Sequence, residues 1–153
     1  MSEETRAWAY PPTIKIKRHH PDLIMPEYKP GSDWIDLRAA ENVDFHKGDL
    51  VRISLGISIK LPDGYGTILA PRSSTARRSG IILANSIGII DNSYCGDDDI
   101  ICFEAYCIRD GFVEFNDRIC QMTIYEHPER FPIEEVTKMN AENRGGFGST
   151  GVK

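Results

Sequence analysis

A chain of 153 residues that is 41% hydrophobic and 27% charged has the size and balance of one globular domain with a core of its own. Its formal net charge of −5 argues against a general nucleic-acid or anionic-membrane surface, so any anion site requires a local cluster of cations. No signal peptide or membrane-length apolar run is visible, and Cys95, Cys102, Cys107 and Cys120 form neither a Cys-x-x-Cys pair nor a zinc spacing with His19, His20, His46 and His127; a cytoplasmic protein with free thiols is expected.

In chain order, TIKIK reads as a short strand and residues 26–33, PEYKPGSD, as a polar loop. In LVRISLGISIKL the apolar residues Val51, Ile53, Leu55, Ile57, Ile59 and Leu61 alternate with Arg52, Ser54, Ser58 and Lys60, which predicts one strand with one buried face. The Pro-Asp-Gly of LPDGYG predicts a turn into a strand at TILAP. STARRSG is the single helical candidate, with Ser74 to cap it and Gly80 to end it. GIILA, DIICFEAYCI, FVEF and RICQMTIY follow as strands, with turns at HKGD, IRDG and FNDR. Many short strands predict an all-β sandwich or barrel over residues 1–137, with residues 138–153 as a weakly structured arm. There is no internal repeat.

Five stretches carry candidate chemistry. PRSSTARRSG leaves a strand and enters a helix, so Arg72, Ser73 and Ser74 converge where an anion is welcome; the alternative is a simple cap with solvated arginines. In ANSIGIIDNSYCGDD, Asp91 follows an apolar run, as a partly desolvated general base at the end of a buried strand would, or as an ordinary turn aspartate would. Tyr94 beside it either packs against a sugar or is a half-buried core ring. In FNDRICQMTI, Arg118 and Gln121 flank a strand start, and Asp117 with Arg118 reads as a surface ion pair. Asp36 in IDLRAAENV is a candidate carboxylate or a plain loop residue. The closing NRGGFGSTGVK is either a frayed terminus or a phosphate-binding flap, with glycine for close backbone approach, Ser149 and Thr150 as donors, Arg144 for charge and Phe147 to cover a flat ring.

Taken together and in order, DLRAA, PRSS, GIIDNSY, DRICQ and GFGSTG resemble the five motifs of the trimeric dUTPase family, most like its phage and prophage members, from about residue 33 to the C-terminus. The resemblance implies a β jelly roll that assembles as a homotrimer, with each active site built from all three chains, hydrolysing dUTP to dUMP and pyrophosphate with Mg²⁺. It places Asn85, Gly88 and Ile90 in a hairpin that reads uracil through backbone groups. It makes Asp91 the carboxylate that orients the 3′-hydroxyl and activates water, and Tyr94 the ring packed on deoxyribose. Arg72, Ser73 and Ser74 become phosphate ligands, Gln121 a neighbour of the α-phosphate and the water, and Asp36 a water-mediated neighbour of magnesium. Phe147 stacks on uracil, Gly148 belongs to the closing flap, and Ser149 and Thr150 meet the γ-phosphate.

One departure stands out. In most of the family the last-motif arginine lies five residues before the phenylalanine, whereas Arg144 lies three before Phe147. Either Arg144 takes a different path or another cation serves. Two rival functions are a dCTP deaminase-like enzyme, where Ile101 stands at the place expected of a glutamate and Glu104 comes too late, and a phage regulatory protein that binds a host partner. The segment through about residue 30 falls outside the match; it either serves such a partner or lengthens the first strand. No nucleic-acid or membrane partner is expected.

Overall fold

A computed structural model describes residues 12–145. Its strands are β1 (Lys15–Arg18), β2 (Ile35–Arg38), β3 (Val43–Phe45), β4 (Leu50–Ser54), β5 (Ile57–Lys60), β6 (Tyr65–Pro71), β7 (Ile81–Leu83), β8 (Gly88–Ile90), β9 (Cys102–Cys107), β10 (Gly111–Val113) and β11 (Arg118–Glu126), with one helix, α1 (Thr75–Ser79). All pairings are antiparallel. A four-stranded sheet runs β2-β11-β6-β8, a three-stranded sheet β4-β9-β7, and β1-β5 and β10-β3 form two ribbons. The core includes Leu37, Ile53, Ile81, Phe103, Ile119 and Met122. Cys107 and Cys120 are buried among them as small hydrophobes, and burial pushes the Cys120 thiol well above its ordinary range. No helix among the described residues is long and apolar enough to cross a membrane.

The run LVRISLGISIKL is two strands rather than the one its alternation predicts. Gly56 turns the chain with φ +60°, and a Cβ there would stand 2.5 Å from Ala40 Cβ. The first half then pairs with β9 and the second with β1. Ile53, Leu55, Ile57, Ile59 and Leu61 remain buried across the break, joined by Ser58, whose hydroxyl meets His19 Nε2 at 2.8 Å. In IDLRAAENV, Ile35 and Leu37 point into the core while Asp36 and Arg38 are half-buried on the other face, so Asp36 lies on a strand rather than in a loop.

The short helix forms where expected, but its start is built differently. Ser74 occupies the N-cap position without a side-chain cap bond. The neighbouring Thr75, 2% exposed, ties the turn instead: its Oγ1 accepts from Arg72 N at 3.0 Å and donates to the Ile119 carbonyl at 2.8 Å. Gly80 ends the helix with φ 72°. Arg109 then donates to the carbonyls of Ala76, Arg77 and Arg78, at 3.2, 2.8 and 2.8 Å, satisfying helix-terminal acceptors that otherwise face water. Beyond Glu126, residues 128–145 carry neither strand nor helix and are exposed throughout.

Candidate functional site

The register of the four-stranded sheet brings three of the sequence stretches together. Gln121 on β11 stands opposite Asp36 on β2 and Ala70 on β6, and Arg72 follows two residues after Ala70. Arg72 Nε donates to Asp36 Oδ1 at 2.8 Å and Arg118 Nη1 to Oδ2 at 3.2 Å. Gln121 Nε2 donates to the Pro71 carbonyl at 3.3 Å. Arg118 therefore pairs with Asp36 and not with its chain neighbour Asp117, whose carboxylate accepts instead from Glu114 N. Asp36 is thus held by two guanidinium groups.

Beside this row lies a cavity of about 510 Å³ whose lining includes Arg38, Arg72, Ser74, Arg78, Arg109 and Arg118, against the carboxylates Asp110 and Asp117. Five guanidinium groups face two carboxylates. The electrostatic strain is legible at Arg38, whose guanidinium is pushed below its usual range, first by burial and then by the charge of Arg118, with Arg72 adding to it and Asp36 and Asp117 opposing. Such a cavity is built for an anion. Ser73 is exposed next to Ser74. Sequence reasoning did not single out Arg38 or Arg109; the signal for Arg38 was its parity with Asp36 on one strand.

The third stretch lies elsewhere. Asn85 Nδ2 donates to the Ile87 carbonyl at 3.1 Å across a tight turn in which Ser86 has φ 63°. This turn feeds β8, which among the described residues is an edge strand paired with β6 alone. A second cavity, of about 360 Å³, is lined by Asn85, Gly88, Ile90, Tyr94, Leu69 and the Arg52–Glu104 ion pair, among others. The ring of Tyr94, 44% exposed, is fixed by its hydroxyl donating to the Ile100 carbonyl at 3.1 Å. Asp91 sits at the end of β8 beside a further hollow formed with Ile89, Ile90, Ser93 and Tyr94. The expectation of a buried strand and a partly desolvated acid does not hold within one chain: Asp91 is exposed and Ile89 is 65% exposed, because a three-residue strand at a sheet edge has no cover on its outer side.

The two cavities share no lining residue. Ile90 pairs with Thr67, five residues before Arg72 along β6, which corresponds to roughly 17 Å at about 3.4 Å per residue. Asp91 lies one residue further still. Arg144 is exposed and lines neither cavity. Phe147, Gly148, Ser149 and Thr150 lie outside the described residues.

The family model described as dUTPase matches residues 22–151. The chain belongs to the dUTPase family. Among curated relatives it is 46% identical over 121 residues to the SPbeta prophage-derived deoxyuridine 5′-triphosphate nucleotidohydrolase YosS of Bacillus subtilis (strain 168), covering 79% of this chain and 85% of that one. Among solved structures, a Staphylococcus bacteriophage 80alpha dUTPase mutant with dUpNHpp superimposes with a TM-score of 0.71 at 21% identity, covering 92% of this chain and 99% of that one. A mutant dUTPase from phage phi11 of S. aureus, described with a structural Mg(II) ion, gives a TM-score of 0.70 at 17% identity, over 84% and 99% of the two chains. The mostly β architecture with one short helix is thus that of the dUTPase structures.

Proposed function

We propose that this dUTPase family member hydrolyses dUTP to dUMP and pyrophosphate: water attacks the α-phosphorus, the bond to the bridging oxygen breaks, and pyrophosphate leaves. The observation that carries the reading is the convergence of Asp36, Arg72, Ser74, Arg118 and Gln121 around one cationic cavity. Charge neutralisation and in-line positioning are what phosphoanhydride hydrolysis needs most. On this reading Arg72, Ser73 and Ser74 hold phosphate, Asp36 and the Pro71 carbonyl orient Arg72 and Gln121, and Gln121 orients the water. The free edge of β8 and the Asn85–Ile90 turn offer backbone groups to uracil, Tyr94 packs on the deoxyribose, and Asp91 takes the proton from water. Phe147, Gly148, Ser149 and Thr150, with Arg144, close over the nucleotide as an arm of residues 138–153.

Magnesium, when bound, neutralises the developing phosphate charge. The described residues offer no group of three or more His, Cys, Asp or Glu, which fits an ion held by triphosphate oxygens and water. Asp36, with one oxygen on Arg72 and the other on Arg118, then meets it only through water.

The exposure of Asp91 and the unpaired edge of β8 among the described residues support a jelly-roll homotrimer in which the nucleoside half of one subunit faces the phosphate half of another, giving Asp91 its cover. The same reading makes the protein cytoplasmic, with no nucleic-acid or membrane partner. A deaminase is disfavoured by Ile101, buried in the core, and by Glu104, committed to Arg52. Incubation with dUTP and with dCTP, with and without Mg²⁺, tests the proposal: dUMP and pyrophosphate from dUTP alone are expected, and ammonia without pyrophosphate refutes it. Sedimentation of an active monomer refutes the trimer. Equal proteolysis at Arg144 with and without the α,β-imido analogue of dUTP refutes the closing arm.

A further inference from the structure

Five arginines line the 510 Å³ cavity, and four of them are committed to protein partners. Arg72 and Arg118 hold Asp36, Arg38 donates to the Asn116 carbonyl at 2.6 Å, and Arg109 is spent on the carbonyls of α1. Arg78 differs: among the described residues its guanidinium has no hydrogen bond and no ion pair. Arg78 is exposed, so water solvates it, and its guanidinium is open to an anion entering the cavity it lines.

The position of Arg78 is nonetheless well defined. It lies one helical turn after Ser74, with its N–H on the Ser74 carbonyl at 2.8 Å, so the two side chains share a face of α1. That turn is pinned at its start by Thr75 on Ile119 and at its end by Arg109 on three carbonyls. Arg77, one position earlier on the helix, is exposed as Arg78 is but lines no part of the cavity. Arg78 is therefore a free guanidinium on a rigid mount, about 6 Å from the side of Ser74.

We infer that Arg78 binds the terminal phosphate of the substrate and thereby lets the cavity distinguish a nucleoside triphosphate from the monophosphate product. The inference rests on the phosphate reading of this cavity. Arg72 and Ser74 take the phosphates nearer the nucleoside, and Arg78 takes the oxygens one helical turn further on. A monophosphate ends short of Arg78 and gains nothing from it, which favours product release over product retention.

The test is equilibrium binding by calorimetry at low ionic strength. The ligands are inorganic triphosphate, the α,β-imido analogue of dUTP, and dUMP; the proteins are wild type, Arg78→Gln, Arg78→Lys and the control Arg77→Gln. Loss of one charged hydrogen bond predicts about tenfold weaker binding of both triphosphates to Arg78→Gln. Affinity for dUMP stays unchanged, Arg78→Lys recovers part of the loss, Arg77→Gln stays within about twofold, and the deficit shrinks as salt rises. Wild-type affinity of Arg78→Gln for both triphosphates overturns the inference. So does a parallel loss of dUMP binding, or an equal loss in Arg77→Gln. A wild-type protein that does not hydrolyse dUTP refutes the hydrolase reading, while the inorganic triphosphate arm still decides the role of Arg78.

Discussion

Replacing Gly88 by alanine probes both the fold and the proposed nucleoside role of the second cavity. A Cβ at this position would stand 2.8 Å from Leu69 Cβ, 3.3 Å from its Cδ2 and 3.6 Å from its Cγ. The nearest atom is itself a Cβ, fixed to the backbone of a central strand, so no rotamer change relieves the contact. To regain the ordinary contact distance of 3.4 Å, β8 must move off β6 by at least the difference, 3.4 − 2.8 = 0.6 Å. Overpacking of this kind costs about 1–3 kcal/mol, and the reduced freedom of the unfolded alanine chain returns about 0.4–1 kcal/mol. The net destabilisation is about 1–2 kcal/mol, which for a chain of this length lowers Tm by roughly 2–8 °C. The same shift displaces Gly88, Ile89 and Ile90, all of which line the second cavity; if that cavity takes the nucleoside as proposed, KM for dUTP rises several-fold while kcat changes less. Thermal unfolding at fixed protein concentration and steady-state pyrophosphate release measure the two effects. A Tm within about 1 °C of the parent, together with an unchanged KM, refutes the close packing of β8 on Leu69.

Asp91→Asn keeps the shape of the side chain but not its basicity, so turnover falls by about 10²–10⁴-fold with binding of the α,β-imido analogue retained; near-normal turnover removes Asp91 from the base role. Asp36→Asn releases Arg72 and Arg118, with an expected loss of about 1–2 kcal/mol after allowing for solvent access and a raised KM; if neither Tm nor KM moves, Asp36 does not hold Arg72 in place. Burial raises the thiols of Cys120, Cys102 and Cys107 above the ordinary 9.0, so the folded chain keeps protons that the unfolded chain releases. Their stabilising contribution is full below 9.0 and declines as pH rises beyond it, a decline read as a lower urea midpoint at about pH 10 than at about pH 8. Cys120→Ala flattens that slope, and an unaltered slope excludes the thiol as its source.

Local chemistry was legible in the sequence where one strand or one turn determines it. The alternation from Val51 to Leu61 reported the buried Ile53, Leu55, Ile57, Ile59 and Leu61 but neither the half-burial of Val51 nor the burial of Ser58, and Gly80 marked the end of α1. What alternation does not report is the partner strand: Gly56 has a left-handed φ and no room for a side chain because of Ala40, a residue of a distant segment. The residue types of the site were legible too, but not their mutual contacts. Arg118 next to Asp117 reads as a local pair, whereas the β2–β11 register hands it to Asp36, 82 residues away. Arg109 carried no local signal at all, since its partners are the carbonyls of a helix some thirty residues earlier. The exposure of Asp91 has the same origin: an apolar tripeptide looks buried until the sheet order places it on an edge.

The pairing of β2 with β11 also has a consequence for how the protein comes into being. Asp36 and Gln121 face each other across 121 − 36 = 85 residues of chain. At the usual synthesis rate of about 5–20 residues per second, β2 waits roughly 4–17 s after leaving the ribosome for the strand that fixes it. By then the partners in the β4–β9 and β6–β8 pairs, which lie closer together along the chain, have all been synthesised. Only the arrival of β11, which joins β2 to β6, brings Asp36, Arg72 and Gln121 into one row. The row of Asp36, Arg72 and Gln121 therefore cannot be complete before β11 has been made.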